Sequence, residues 1–297
     1  MNPLRKYAYH TKWTIGFSTQ SLSDVVEKNL PLDGFKWMKS NYKKGWFADP
    51  FILDVTESNI ILLAEELYYP TGLGRISRLT IRKKDYTLLA VDPVLQLDSH
   101  LSFPAILRIE NKIYFYPENF VSGKLNLYEY NVDNNSCKFV RTLCSAPLTD
   151  AIVTDVVGNS FAIYSTEGTD PNGCVLKRFQ EDGTVLNTYS FPKKIARNAG
   201  NWFLLGGKIY RPAQDCNDCY GAAVILQEVR VKNENELAFK DIRRIESDND
   251  KYNLGCHTFN HYKGVIVIDA KAYRHPIAHA IYECLYNINS SLKIRHA

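Results

Sequence analysis

Apolar positions in this chain gather in short runs interleaved with polar ones, the pattern of half-buried strands, and long runs of helix-forming residues are missing. Five runs share one grammar of tight turn, apolar strand and acidic end: Ile60 to Glu66, Ile113 to Glu118, Phe161 to Glu167, Ile209 to Asp215 and Val265 to Asp269. Their turns carry Asn59, Asn111, Asn159, Gly206 with Gly207, and Gly264, residues suited to positive φ or an Asx-type turn. The acidic ends stand 52, 49, 48 and 54 residues apart, the length of one propeller blade. The repeat predicts an all-β fold, a five-bladed β-propeller.

Ahead of each run lies a short segment with a polar opening: Asp49-Pro50-Phe51, His100 to Pro104, Thr149-Asp150-Ala151, Arg197 to Gly200, and His257 to Asn260. These are the expected innermost strands. Outer strands follow, as in Leu125 to Tyr130 with Phe139 to Leu143, and Ala222 to Val231 with Phe239 to Ile245. The last unit is one strand short. Lys12 to Phe17 alternates suitably and is the preferred closing strand, with Leu292 to Arg295 as its competitor. The expected organisation is a single domain over 1–297, with blades near 46–98, 99–146, 147–194, 195–247 and 253–297 plus strand 12–17. Ser21 to Asn29 reads as a short helix and Lys39 to Lys44 as a loop into the first blade.

In a propeller the first strand of each blade starts at the face where the second strand ends. Polar openings and acidic ends therefore converge on one funnel, the candidate site. Its expected members are Asp49, Glu65, Glu66, His100, Glu118, Asp150, Glu167, Arg197, Asn198, Arg211, Gln214, Asp215, His257 and Asp269. Crowded carboxylates with little solvent move up in pKa, so the arginines and histidines are expected partly as neutralising partners. Glycosyl chemistry needs one carboxyl to activate a nucleophile and another to manage the leaving oxygen. Asp49, in Trp46-Phe47-Ala48-Asp49-Pro50, is the expected base or nucleophile, with Trp46 offering a surface to a sugar face. Glu118, after Pro117, is the expected acid, and Asp150 is placed to tune either. Any one strand-end carboxylate has an alternative task, capping backbone N–H groups to hold blades in register.

Charge and cysteine usage narrow the classes. The net charge of +4 is spread along the chain, and Arg82-Lys83-Lys84 is followed at once by Asp85, a solvated hairpin edge. No basic stripe with aromatic platforms marks a nucleic-acid partner. Met1 to His10 lacks the apolar core of a secretory signal and no window reaches a membrane span, so a cytoplasmic location and no integral membrane segment are expected. The seven cysteines are odd in number and scattered, so they are expected to be reduced and mostly buried. Cys216 and Cys219 form a C-x-x-C with no second pair, which argues against zinc. No cofactor is expected; calcium or magnesium would suit an oxygen-rich funnel, but no ligand loop announces one.

Trp46 to Phe51, His100 to Pro104, Pro117-Glu118, Arg197 to Gly200, Tyr210 to Cys216 with Tyr220-Gly221, and His257 to Asn260 together resemble the N-terminal propeller domain of the glucosamine inositolphosphorylceramide transferase family. The resemblance covers nearly the whole chain and implies a five-bladed propeller with a link to glycolipid or surface-polysaccharide assembly, as bacterial stand-alone relatives tend to accompany such pathways. In the plant proteins a separate C-terminal domain is thought to carry the transferase, for which this chain has no room. A more distant resemblance is to five-bladed arabinanase and furanosidase glycosidases, which place a base Asp in an Ala-Asp-Pro turn and a second Asp at the start of the third blade. Asp49 and Asp150 match those places, but the general-acid Glu expected at the start of the fourth blade is replaced by Arg197-Asn198. Three readings follow: glycosyl transfer on an activated or lipid-linked sugar, with Arg197, Arg211, His100 and His257 available to phosphate; glycoside hydrolysis; and glycan binding without chemistry. The expected partner is a sugar, sugar phosphate or glycan. Asp248-Asn249-Asp250 imitates an Asp-x-Asp metal motif but sits outside the repeat.

Overall fold

The computed structural model describes residues 3–28, 34–158, 160–167, 173–233, 236–247 and 249–294. Two strands, β1 (Thr11–Ser18) and β2 (Lys36–Trp37), precede four antiparallel sheets made from consecutive segments. The first holds β3 (Gly45–Val55), β4 (Asn59–Tyr68), β5 (Leu73–Arg82) and β6 (Thr87–Leu95); the second holds β7 (Ser102–Ile109), β8 (Lys112–Glu118), β9 (Leu125–Asn131) and β10 (Ser136–Cys144). The third holds β11 (Leu148–Thr154), β12 (Ala162–Glu167), β13 (Val175–Phe179) and β14 (Val185–Ser190); the fourth holds β15 (Phe203–Leu205), β16 (Lys208–Asp215), β17 (Ala223–Asn233) and β18 (Glu236–Ile245). The fifth takes β19 (Phe259–Tyr262) and β20 (Val265–Tyr273) from the end of the chain and β1 and β2 from its start, in the order β19-β20-β1-β2. The five sheets form a five-bladed propeller, and the N-terminal strand closes the ring, with Ile15 opposite Asp269 and Phe17 opposite Val267.

Aromatic side chains fill the wedges between blades. Phe51 meets Phe103 edge-on at 5.0 Å, and Tyr164 stacks on Trp202 at 4.5 Å. A second regularity lies in the first strands: Asp49 (φ 49°), Phe103 (φ 46°) and Asp150 (φ 48°) are left-handed residues at register breaks in β3, β7 and β11. Such a conformation costs about 1–2 kcal/mol for an ordinary residue and less for Asp. The bulge turns the strand start towards the axis and frees a backbone N–H there.

Two expectations need correction. The segment holding Leu292 is the end of a helix, α3 (Pro276–Ile294), with Arg295 outside the described residues. Proline in the first helical position and apolar residues four apart, at Ile277, Ile281 and Leu285, carry the helical rhythm that a search for strands passes over. Only Cys144 and Cys256 are buried; all seven cysteines are free thiols. The helix expected from Ser21 is shorter, Leu22–Val26, and both Asn29 and the turn residue Asn159 lie outside the described residues. No described helix is long and apolar enough to cross a membrane. Arg82 pairs with Asp85 at 3.0 Å on the exposed hairpin edge.

Removing residues 1–18 would leave β20 without its partner and uncover the surface against which the fully buried Ile15 and Phe17 pack. The truncated chain is expected to lose cooperative thermal unfolding, read by circular dichroism; a sharp transition within a few degrees of the intact chain would contradict the role of β1.

Candidate active site at the propeller axis

The bulges bring side chains from every blade together. On β20, Asp269 is fully buried and accepts from five groups: the N–H of His257 (2.9 Å) and Thr258 (3.0 Å) on one oxygen, and the N–H of Asp49 (3.0 Å), the Thr258 hydroxyl (2.7 Å) and Nδ1 of His257 (2.6 Å) on the other. This fixes the imidazole and points Nε2 towards Asp49 Oδ1, 3.7 Å away. Trp13 of β1 stacks on the ring at 4.0 Å, and Tyr220 meets it edge-on. Gly221, at φ 63°, passes so close that a Cβ there would lie 2.7 Å from that of His257. Asp49 in turn accepts from the Phe103 N–H at 3.1 Å, while its other oxygen lies 3.0 Å from the Thr258 hydroxyl. A hydroxyl has one proton, so its contacts with both Asp49 and Asp269 are satisfied together when Asp49 itself carries a proton.

Across the axis, Asp150 Oδ2 takes Nε (2.7 Å) and Nη2 (2.6 Å) of Arg197 and the amide of Gln214 (2.9 Å). The Asp150 N–H donates to Glu118 at 2.9 Å. Asn198 donates to the carbonyls of Asp150 and Tyr164, tying the fourth blade to the third. Arg197 is thus the ion-pair partner of Asp150.

The remaining expected members lie further out or face elsewhere. His100 Nε2 is 3.1 Å from Glu65, and its Nδ1 accepts from the Gly74 N–H. Glu66 is fully buried between Arg75, Ser77 and Tyr42, a structural anchor on the opposite side of β4 from Glu65. Arg211 is also fully buried, spending its donors on the carbonyls of Ile195 and Ala196 and on Asn198 and Gln227; it organises the fourth blade and is not free to take phosphate. Asp215 pairs with Arg244 and caps the Asn217 N–H, and Glu167 pairs with Lys177 at 2.9 Å, so both are occupied away from the axis. Trp46, half-buried in β3, lies on the rim. Thr258, Trp13 and Tyr220 were not singled out beforehand. Thr258 and Tyr220 stand inside matched motifs, but Trp13 reaches the site only through ring closure.

Burial and the neighbouring carboxylates push Asp49 up to about 7, against the pull of His257. Burial of its carboxyl, with Asp150 beside it, pushes Glu118 up to about 8. Burial would lower His257, but Asp269 and Asp49 outweigh it and raise the imidazole to about 9. Burial opposes ionisation of Asp269, yet the His257 charge and the donors on it hold its carboxyl below the usual range. The cluster therefore holds two protonatable carboxyls near neutrality beside a cationic histidine, a set able to donate and accept protons.

Asp49, His257 and Asp269 bring ligand atoms within 4.8 Å of one another, a spacing that could hold a metal ion. The lone pairs of Asp269 are already taken by its five donors, so Asp49 has capacity left, and Nε2 of His257 only once the imidazolium gives up its proton. Cys216 and Cys219 belong to no such cluster among the described residues. Asp248 lies outside those residues, and Asn249 is used in a turn, accepting from the Lys251 N–H.

A sequence profile for the family described as glucosamine inositolphosphorylceramide transferase 1, N-terminal, matches residues 32–265. The chain is 28% identical over 212 residues to glucosamine inositolphosphorylceramide transferase 1 of Arabidopsis thaliana, covering 66% of this chain and 27% of that protein. It is 26% identical over 204 residues to the protein of the same name in Oryza sativa subsp. indica, covering 64% and 27%. The chain thus spans about a quarter of the length of these relatives. Among solved structures, an exo-1,5-alpha-L-arabinanase from a bovine ruminal metagenomic library is similar with a TM-score of 0.48 at 10% identity, over 67% of this chain and 79% of that one. An alpha-L-arabinofuranosidase from Clostridium thermocellum gives 0.47 at 15% identity, over 73% and 79%. At these values no residue role follows from the likeness.

Asp49, Glu118 and His257 all have folded-state pKa values above their unfolded ones, so each stabilises the fold at low pH and that contribution is lost as pH rises through about 7, 8 and 9. The melting temperature is expected to fall between pH 6 and 9. Asp49→Asn keeps an acceptor for the Phe103 N–H and cannot ionise, so it should flatten that slope and melt higher than the parent at pH 9. Parallel melting curves for the two proteins across this range would contradict the placement of Asp49.

Proposed function

Because this chain belongs to the family of glucosamine inositolphosphorylceramide transferase 1 N-terminal domains, we propose that its axial cluster is a carbohydrate site that cleaves a glycosidic bond by carboxyl acid–base chemistry. The observation that carries the reading is the pair of carboxyls held near neutrality in one site, Asp49 at about 7 and Glu118 at about 8. The charge of His257 pulls Asp49 towards its ionised form, while burial and the charge of Asp150 keep the proton on Glu118. Asp49 takes the proton of a water whose oxygen bonds to the anomeric carbon; the glycosidic C–O bond breaks, and Glu118 delivers its proton to the leaving oxygen. Asp150, held by Arg197 and Gln214, favours the protonated form of Glu118 through its charge, which together with burial outweighs the opposing pull of its N–H on the carboxylate. His257 provides positive charge beside Asp49, and Trp13, Trp46 and Tyr220 supply apolar surface for sugar faces. His100, at the rim, is the more accessible hydrogen-bond partner for substrate hydroxyls.

Transfer to an acceptor hydroxyl is the second reading, favoured by the names of the curated relatives; the same two residues would serve, with the acceptor in the position of water. A cytoplasmic role in glycolipid or surface-polysaccharide assembly, on a lipid-linked or phosphorylated sugar, is part of that second reading.

Turnover of a panel of aryl glycosides is expected to show a bell-shaped dependence of kcat/KM on pH, rising near 7 and falling near 8. Asp49→Asn should lower kcat by about 10²–10⁴-fold. Glu118→Gln should remove the alkaline limb, with the larger loss on substrates carrying poor leaving groups. Saturable glycan binding without turnover, retained by Asp49→Asn, would replace the catalytic reading with glycan recognition.

A further inference from the structure

Beside the axial cluster, where the fifth blade meets the first, lies a cleft of about 540 Å³. Trp13, Trp37, Trp46 and Tyr252 line it together with Lys12 and Lys251, and no carboxylate is among its lining residues. Three observations bear on what it takes. Lys12 is held below the usual lysine range by burial and by the charges of Lys251, Arg274 and Lys43, so several cations crowd here. None of these four has a carboxylate partner among the described residues, although pairs such as Arg75 with Glu66 and Lys177 with Glu167 neutralise cations elsewhere in the ring. The Trp37 ring lines the cleft, while its indole N–H is buried away from solvent without a hydrogen-bond partner among the described residues. Cations that repel one another across a cleft without carboxylate partners are relieved when an anion joins them.

We propose that this cleft is a subsite for a phosphate carried on a sugar, with Lys12 and Lys251 neutralising the phosphate and the Trp37 ring forming part of its wall. Aromatic walls pack against the attached ring, and Trp13 is shared, stacked on His257 and also lining the cleft. The inference rests on the reading of the axial cluster as a carbohydrate site, and it moves the phosphate contact away from Arg211 to lysines that no motif marks.

The test is calorimetric titration of the intact chain with glucose 1-phosphate, with glucose as the neutral control, and with phosphatidylcholine vesicles carrying phosphatidylinositol. Saturable, salt-sensitive binding of a phosphorylated probe is expected, weakened about tenfold or more in Lys12→Gln/Lys251→Gln and by a smaller factor in Trp37→Phe. Loss in the soluble arm identifies a free sugar phosphate, and loss in the vesicle arm a lipid-linked one. Equal affinity for glucose and glucose 1-phosphate with no vesicle binding, absence of saturable binding to either phosphorylated probe, or affinity unchanged in the folded double variant would overturn the inference. Phosphate binding lost with the lysines alongside turnover indifferent to Asp49→Asn would uphold the cleft and remove the catalytic reading instead.

Discussion

The ring depends on carboxylates of one blade accepting backbone N–H groups of the next. Asp269 holds the N–H of Asp49, Asp49 holds that of Phe103, and Glu118 holds that of Asp150, so blades five, one, two and three are joined in series. The circuit is completed by side-chain amides and backbone, with Asn198 reaching the Asp150 and Tyr164 carbonyls and the Phe259 N–H donating to Ala199. Each contact needs a first-strand N–H turned out of its sheet, which the left-handed bulge residues provide. The strain at Asp49, Phe103 and Asp150 is therefore bound to the closure of the ring.

These staples are also the groups with perturbed protonation. A carboxylate that accepts a backbone N–H from the next blade must sit deep, and depth raises its pKa; the same burial that makes Asp49 and Glu118 useful as acid and base makes them costly to ionise. The second blade shows the alternative. Phe103 occupies the bulge position held elsewhere by Asp, packs against Phe51 and carries no charge into the centre. Conformation at that position is common to three blades, while charge is reserved for two.

The blade repeat was legible because a tight turn, a strand and an acidic end leave a local trace, and because Ala-Asp-Pro and Thr-Asp-Ala advertise the bulges. Parity was not legible. Neighbours on a strand face opposite sides, so Glu65 and Glu66 cannot both look inward, and only the structure shows Glu65 beside His100 and Glu66 locked onto Arg75. Arg211 was misjudged for a related reason: an arginine on a second strand reads alike whether it ends at a funnel or is buried against backbone carbonyls. The aromatic cleft was invisible because Trp13, Trp37 and Tyr252 come together only when the two ends of the chain meet. The terminal helix escaped because its apolar residues, Ile277, Ile281 and Leu285, stay largely exposed and read weakly as a core face.

Ring closure by β1 also sets an order of assembly. During synthesis β1 waits for β20, its partner some 250 positions later (Phe17 against Val267), and until then the ring stays open. The entropic cost of so long a closure grows only slowly with length, so the delay concerns timing more than stability. Trp13 rides on that strand, and it is the residue that covers His257 and walls the cleft. A nascent or clipped chain can therefore hold four finished blades and still lack a working centre, so that arrival of β20 and competence of the site come in one event.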